Sequence, residues 1–401
     1  MKSFRNAVCL IMAALLCLTF ASCAKEKPAQ EASTEANAAP AVTEAVSSGA
    51  KDAPVVTDAA VIHETEFGGV YIDLTIDAFN ALGFAFGDSV DIAFSNGYKL
   101  EDLPYYNGYY TSVGDPLLVG YPGYPHIRAG FNNGADLWLV AGLSDTDTAS
   151  VTLREAGKYL DVQNARDIHY TDVREDYPSD EAFANFRMVA VGGIAQGVFY
   201  RGASACDNQH NRATYVNDLI EKAGVKVILD LADNEEKIEG YLADPDFACP
   251  YFKSVWEAGG VIPLAMNMNY GSDEFRAKVV SGLTQLAESE GPFYVHCTEG
   301  KDRTGFVCML LEAFAGATYQ ELVDDYMLTY DNYYKINQTR DKARYDTIRE
   351  KVFDDMVKAV VGSPDIETAD MAASAEQYLL NAGMDAATIE ALRQRLTKAS
   401  S

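Results

Sequence analysis

Three textures of apolar and polar positions follow one another along the chain. A short basic start with Lys2 and Arg5 leads into the apolar run AVCLIMAALLCLTFAS, and residues 24 to about 60 then show no sustained apolar spacing. From 61 to about 175, short alternating segments stand between turn residues: VYIDLTI, DSVDIAF before SNG, PLLVGYPGYP, DLWLVAGL and ASVTLREAG. This period of two predicts strands, and so a small β-rich barrel or sandwich over residues 61–180. Beyond 183 the period alternates. VFYRGAS, VKVILDLAD, GVIPLAMNM and GPFYVHC read as strands, while ATYVNDLIEKAG and SDEFRAKVVSGLTQLAESEG carry apolar residues at helical spacing. Strand and helix in turn predict an α/β domain over 183–397 with a largely parallel sheet, GPFYVHC being its buried central strand. GFVCMLLEAFAG is apolar on nearly every side and ends at Gly316, as a buried helix does. Thr318 and Glu321 then have the spacing of a capping box, and NQTRDKARYDTIREKVFDDMVKAV reads as an amphipathic packing helix.

Composition bounds the partners. At 401 residues with 48% hydrophobic content, the chain can bury substantial cores. Its 32 basic and 59 acidic residues leave a net charge of −27, which repels nucleic acid, so no nucleic-acid partner is expected. The opening segment resembles a bacterial lipoprotein signal, with the small pair Ala21-Ser22 before Cys23. That resemblance implies cleavage of residues 1–22, lipidation of Cys23, and a protein exported and lipid-anchored to the bacterial cell envelope or surface. Secretion with cleavage near Ser22 is the alternative. Residues 23–60, rich in Ala, Glu, Thr and Pro, read as a flexible tether.

Beyond the signal region lie Cys206, Cys249, Cys297 and Cys308, with no disulfide-framework spacing; Cys206 with Cys249 is the pair to test. Cys308 belongs to the apolar helix and reads as packing. Tyr105, Tyr106, Tyr109, Tyr110, Tyr121 and Tyr124 crowd the β-region and read first as packing, second as a binding surface. His63, His126, His169 and His210 have no ligand spacing, so a zinc enzyme is disfavoured; no metal and no cofactor is expected.

The chemistry concentrates where GPFYVHC stops. Cys297-Thr298-Glu299-Gly300-Lys301-Asp302-Arg303 separates a buried strand from a buried helix expected to begin near Gly305. Backbone amides at such a junction bind phosphate, and the same field favours a thiolate as nucleophile. Arg303 can offer its planar fork to two phosphoryl oxygens, and Gly300 allows a left-handed turn. A thiolate beside a phosphate cradle points to phosphoryl transfer through phosphocysteine.

His296-Cys297-x5-Arg303-Thr304-Gly305, within HCTEGKDRTG, resembles the signature of the cysteine-dependent tyrosine phosphatase superfamily, in its bacterial tyrosine and phosphoinositide phosphatase branch. Asn185-Phe186-Arg187, Gly192-Gly193, Tyr200 to Ser204, Leu229-Asp230-Leu231, DDYMLTYDNYY and the C-terminal AEQYLLNAGMDAATIEALRQRL also resemble that branch; Ala232 departs from it, standing where arginine is frequent. The resemblance implies a tyrosine-phosphatase-like α/β fold in which Cys297 is the nucleophile and Arg303 the phosphate clamp. Thr304 would assist the leaving thiolate and His296 would orient the loop. Thr298, Glu299, Gly300, Lys301 and Gly305 would surround the substrate. It further implies phosphotyrosine as first substrate, then phosphoserine or phosphothreonine and phosphoinositides. A catalytically weak phosphate-binding lipoprotein and an inositol polyphosphate phosphatase are the alternatives. The usual aspartate loop is missing: the stretch from Ala265 to Ser272 holds no carboxylate, so Asp302 is the first candidate general acid and Asp273 the second.

Overall fold

The computed structural model describes residues 53–398. The export signal, Cys23 and the tether up to residue 52 lie outside them. The described residues form one compact unit that holds both the β-rich and the α/β parts. No helix among the described residues is long and apolar enough to cross a membrane.

Seven strands close into a barrel: β1 (Val55–Glu64), β2 (Gly69–Ile72), β3 (Ser89–Phe94), β4 (Lys99–Tyr106), β5 (Pro116–Val119), β6 (Ile127–Phe131) and β7 (Thr148–Glu155), in the order β1-β2-β6-β5-β4-β3-β7. Only the β4–β5 pair is parallel among them. Closure leaves no unpaired edge, and the alternation read from the sequence becomes inside and outside: Val90, Ile92 and Phe94 of β3 face the core while Asp91 and Ala93 are less buried. The barrel begins at Val55, inside the stretch read as tether. DLWLVAGL, expected to be a strand, is instead the short helix Leu137–Ala141. Asp136 caps it by accepting from the Trp138 N–H, and Gly142 ends it in the left-handed conformation, so local capping overrides an ambiguous apolar run. Of the six clustered tyrosines, Tyr105 and Tyr106 are buried and the Tyr109 and Tyr124 hydroxyls pair at 2.8 Å; Tyr121 alone is exposed.

The second sheet contains β8 (Arg187–Met188), β9 (Phe199–Gly202), β10 (Val227–Asp230), β11 (Val261–Pro263) and β12 (Phe293–His296) in the order β11-β10-β12-β9-β8. All its pairs are parallel except β8–β9. Fully buried β12 lies at the centre, as its uninterrupted apolar sequence requires. Register aligns Asp230 with His296 and His296 with Gly202, so three strands end at one level. Helices cover both faces, Asp273–Glu288 and Asp302–Phe314 on one, Ala213–Lys222 and Pro250–Glu257 on the other. The helix Asp302–Phe314 starts three residues before Gly305, and the capping box at Thr318 and Glu321 forms as expected. The KARYDTI stretch packs against the segment joining barrel to sheet, where Arg344 donates to the Asn164 carbonyl at 3.1 Å. A second tie runs from the Ser112 hydroxyl to Asp355.

Candidate active site

Cys297 follows directly on β12 and is almost fully buried, at 3% exposure. The loop after it is held from outside by its carbonyls. Thr298 O accepts from Ser204 N–H (3.1 Å), Glu299 O from the Tyr333 hydroxyl (2.8 Å), and Gly300 O from both Arg201 Nη2 (3.0 Å) and Asn185 Nδ2 (3.1 Å). Among the described residues, no acceptor meets the backbone N–H of Thr298, Glu299, Gly300, Lys301, Asp302 or Arg303. Gly300 is buried and the other five residues are half-buried, and the Asp302 and Arg303 amides open a helix, so the set is free to meet an external acceptor. Gly300 has φ +70°, and a Cβ there would drive into the Gly202 carbonyl. Glycine is required on both counts.

Arg303 lies over this loop, with Nη2 donating to Thr298 Oγ1 (3.3 Å) and Nη1 to the Met266 carbonyl (3.1 Å). Met266 belongs to the loop after β11, where Ala265 adopts a positive φ of 45°. His296 is fully buried, and its Nδ1 lies 3.3 Å from the Cys297 carbonyl. Thr304 is buried, and its hydroxyl has no partner among the described residues. Gly305 packs against the Tyr326 ring, which a side chain at that position would meet.

Lys301 and Glu299 hold one another. Their charged atoms are 2.9 Å apart, Lys301 Nζ also donates to the Tyr334 hydroxyl (3.2 Å), and Glu299 accepts from the Tyr170 hydroxyl (2.7 Å). Burial works against both charges. The charges of Asp302 and Glu299 nevertheless hold the Lys301 ammonium well above its ordinary range, and Lys301 with Tyr170 keeps the Glu299 carboxyl below its own. Asp302 opens the helix beside this pair, half-exposed and 3.7 Å from Lys301 Nζ. Asp273 opens a different helix with its side chain 99% exposed and engaged by Arg276 at 2.5 Å.

Beneath the loop lies a charge network whose members have no role assigned from sequence. Asp325 accepts from Arg187 Nε (2.6 Å) and from Arg201 Nη1 (2.5 Å), the same Arg201 that holds the Gly300 carbonyl. Burial alone would raise the Asp325 carboxyl, but the two guanidiniums, Arg187 foremost, hold it far below its ordinary value. Burial, followed by the Asp325 charge, pushes neighbouring Glu312 well above its own. Asn185, Arg187, Arg201 and Asp325 all fall in quoted motifs; their contacts to the loop do not show in sequence.

A family model described as the tyrosine phosphatase family matches residues 161–398. No curated protein matches the chain. Among solved structures, the core catalytic domain of the PP-IP phosphatase SIW14 from S. cerevisiae, in complex with citrate, is 18% identical, covering 44% of this chain and 94% of that one, with a TM-score of 0.24. P. aeruginosa TpbA is 17% identical, covering 58% and 99%, with a TM-score of 0.20. At that degree of overlap neither adds to the assignment.

Proposed function

We propose that this chain, which belongs to the tyrosine phosphatase family, hydrolyses phosphomonoesters through a phosphocysteine on Cys297, with phosphotyrosine as its first substrate. The observation that carries this reading is the loop whose carbonyls are tied outward and whose six amides are unspent, closed over by Arg303. A phosphoryl dianion supplies the acceptors that those amides lack and offers the Arg303 guanidinium, which here donates to neutral oxygens of Thr298 and Met266, an anionic partner.

In the first step the Cys297 sulfur bonds to phosphorus as the ester P–O bond breaks. Charge gathers on the equatorial oxygens, where the amides and Arg303 stabilise it. The leaving oxygen takes a proton from Asp302, which opens the helix at the loop's far end. In the second step water attacks phosphorus and gives its proton to the Asp302 carboxylate, the P–S bond breaks, and the Thr304 hydroxyl donates a hydrogen bond to the departing thiolate. His296 holds the Cys297 carbonyl from behind. Lys301 and Glu299 form a paired, charged wall, and Lys301 extends the reading to phosphoinositides, with phosphoserine and phosphothreonine as further substrates. The chain is exported and anchored through lipid on Cys23, so its substrates lie outside the cytoplasm.

Purified soluble chain should release phosphate from a phosphotyrosine peptide, and Cys297→Ser should reduce turnover to background. Parallel assays on phosphoserine peptide, a phosphoinositide and inositol hexakisphosphate rank the substrates. Undiminished turnover by Cys297→Ser would refute the mechanism; binding of vanadate without turnover of any substrate would make the chain a phosphate-reading module.

A further inference from the structure

Three tyrosines enclose the side of the phosphate loop that Glu299 and Lys301 occupy. Tyr333 and Tyr334 end the helix Tyr319–Tyr334. The third, Tyr170, comes from the segment that joins barrel to sheet, far from the loop in sequence. Its ring stacks on Tyr333, with centroids 5.0 Å apart and planes at 26°, and the Arg212 guanidinium carbon lies 4.8 Å from the ring centre. Buried Arg212 also ties down the next two residues, donating from Nη2 to the Thr171 carbonyl (3.2 Å) and from Nη1 to Asp172 Oδ1 (2.6 Å). The Tyr177 hydroxyl donates to the same Thr171 carbonyl at 2.7 Å. Ring and backbone are both fixed, so the direction of the Tyr170 hydroxyl is fixed with them.

A carboxylate only accepts, so the one Tyr170 hydroxyl proton goes to Glu299 Oε1 at 2.7 Å; His210 Nε2, 3.4 Å from that hydroxyl, is left as a weak donor to it. Burial, and after it the Glu299 charge, hold this proton on Tyr170 well beyond the ordinary phenol range. With Oε1 taken, Glu299 Oε2 is turned to Lys301 Nζ at 2.9 Å. The Tyr333 hydroxyl meanwhile holds the Glu299 carbonyl at 2.8 Å, so the two stacked rings secure the side chain and the backbone of one residue. An ammonium on a flexible four-carbon stem stands where its partners put it. Of its three protons, one meets Glu299 and one the Tyr334 hydroxyl (3.2 Å); the third has only Asp302, at 3.7 Å and beyond hydrogen-bond distance. That proton is left for an oxygen from outside.

We propose that Tyr170 is a positioning residue for substrate recognition: through Glu299 it fixes the Lys301 ammonium where a second anionic group, beside the phosphate on the loop, would meet it. The inference rests on the phosphate-loop reading above, though not on turnover. The segment between barrel and sheet is then part of the specificity apparatus as well as a link. Tyr170 donates to neither the loop amides nor Arg303, so its effect on a second anionic group is separable from the hold on the first phosphate.

The test reads binding by the full chain carrying Cys297→Ser, where no turnover intervenes. Two probes are titrated calorimetrically: inositol hexakisphosphate, with a phosphate on every ring carbon, and inorganic phosphate, with no second group. Tyr170→Phe keeps the ring and should weaken inositol hexakisphosphate about tenfold while inorganic phosphate stays within about twofold. Lys301→Met should weaken inositol hexakisphosphate at least as much, and adding Tyr170→Phe to it should cost nothing further, because the hydroxyl acts through the ammonium. Three results would overturn the proposal. Unchanged affinity for inositol hexakisphosphate in Tyr170→Phe means that the hydroxyl positions nothing. Equal weakening of both probes means that it supports the loop as a whole, and full additivity with Lys301→Met means that it acts elsewhere. A parent protein that binds neither probe would sink the phosphate-loop reading and this inference together. Wild-type chain that binds both probes and hydrolyses no phosphoester would remove only the phosphatase reading, and the binding cycle would still decide the role of Tyr170.

Discussion

Glu312→Gln should stabilise this protein, and more so as pH rises. Glu312 lies fully buried on the helix that starts at the phosphate loop, and burial together with the charge of Asp325 raises its pKa well above the ordinary value. Because the folded pKa exceeds the unfolded one, the contribution of Glu312 is fully present below the unfolded pKa and is lost as pH climbs toward the folded one. In the unfolded chain the carboxyl titrates near pH 4.3; above that, folding must reprotonate it at about 1.4 kcal/mol per pH unit. Each pH unit climbed between the unfolded and the folded pKa adds about 1.4 kcal/mol to the penalty, a sizeable part of a domain's net stability. Glutamine has the shape of the protonated acid and never ionises, so it escapes this term. Urea unfolding of both proteins at pH 5, 6 and 7 should show the gap in favour of Glu312→Gln widening at each step. A gap that stays constant with pH, or a variant that loses ground as pH rises, would refute the argument.

The other predictions concern the loop itself. Asp302→Asn should slow hydrolysis of alkyl phosphates by about 10²- to 10⁴-fold while sparing esters with good leaving groups; Asp273→Asn, with a side chain in open solvent, should leave both rates unchanged. Gly300→Ala needs a Cβ where the Gly202 carbonyl stands, so the loop must move and kcat/KM should fall by about a hundredfold, read on a chromogenic ester. Tyr333→Phe removes the donor to the Glu299 carbonyl and should cost about 1–2 kcal/mol in urea unfolding.

What the sequence disclosed of the fold follows from how local each signal is. GPFYVHC was legible as the central strand because a strand buried on both faces has no polar position, and β12 is such a strand. The start of β1 does not show in the sequence because Val55 to Ala60 has the small and polar composition of the preceding tether, and only pairing with β7 makes a strand of it. DLWLVAGL could have been strand or helix on periodicity alone; five residues between Asp136 and Gly142 were settled by their caps.

The site divides along the same line. Cys297 through Arg303 is contiguous, so its chemistry could be read directly, and the structure brings Arg303, Thr298 and the free amides to one place. What holds that place comes from elsewhere in the chain: Asn185 and Arg201 before β10, Tyr333 and Asp325 well after the loop. This division has a physical cause. A loop whose amides await an anion has given up the internal hydrogen bonds that would normally fix its shape, so its carbonyls must be fixed by donors outside it. Those donors are buried, two of them are drawn from Arg201 and Asn185, and a buried guanidinium needs a counter-charge, which Asp325 supplies. The phosphate loop therefore entails a charged layer beneath it. The strand register that brings Asp230, His296 and Gly202 to one level lets that layer reach the loop from below.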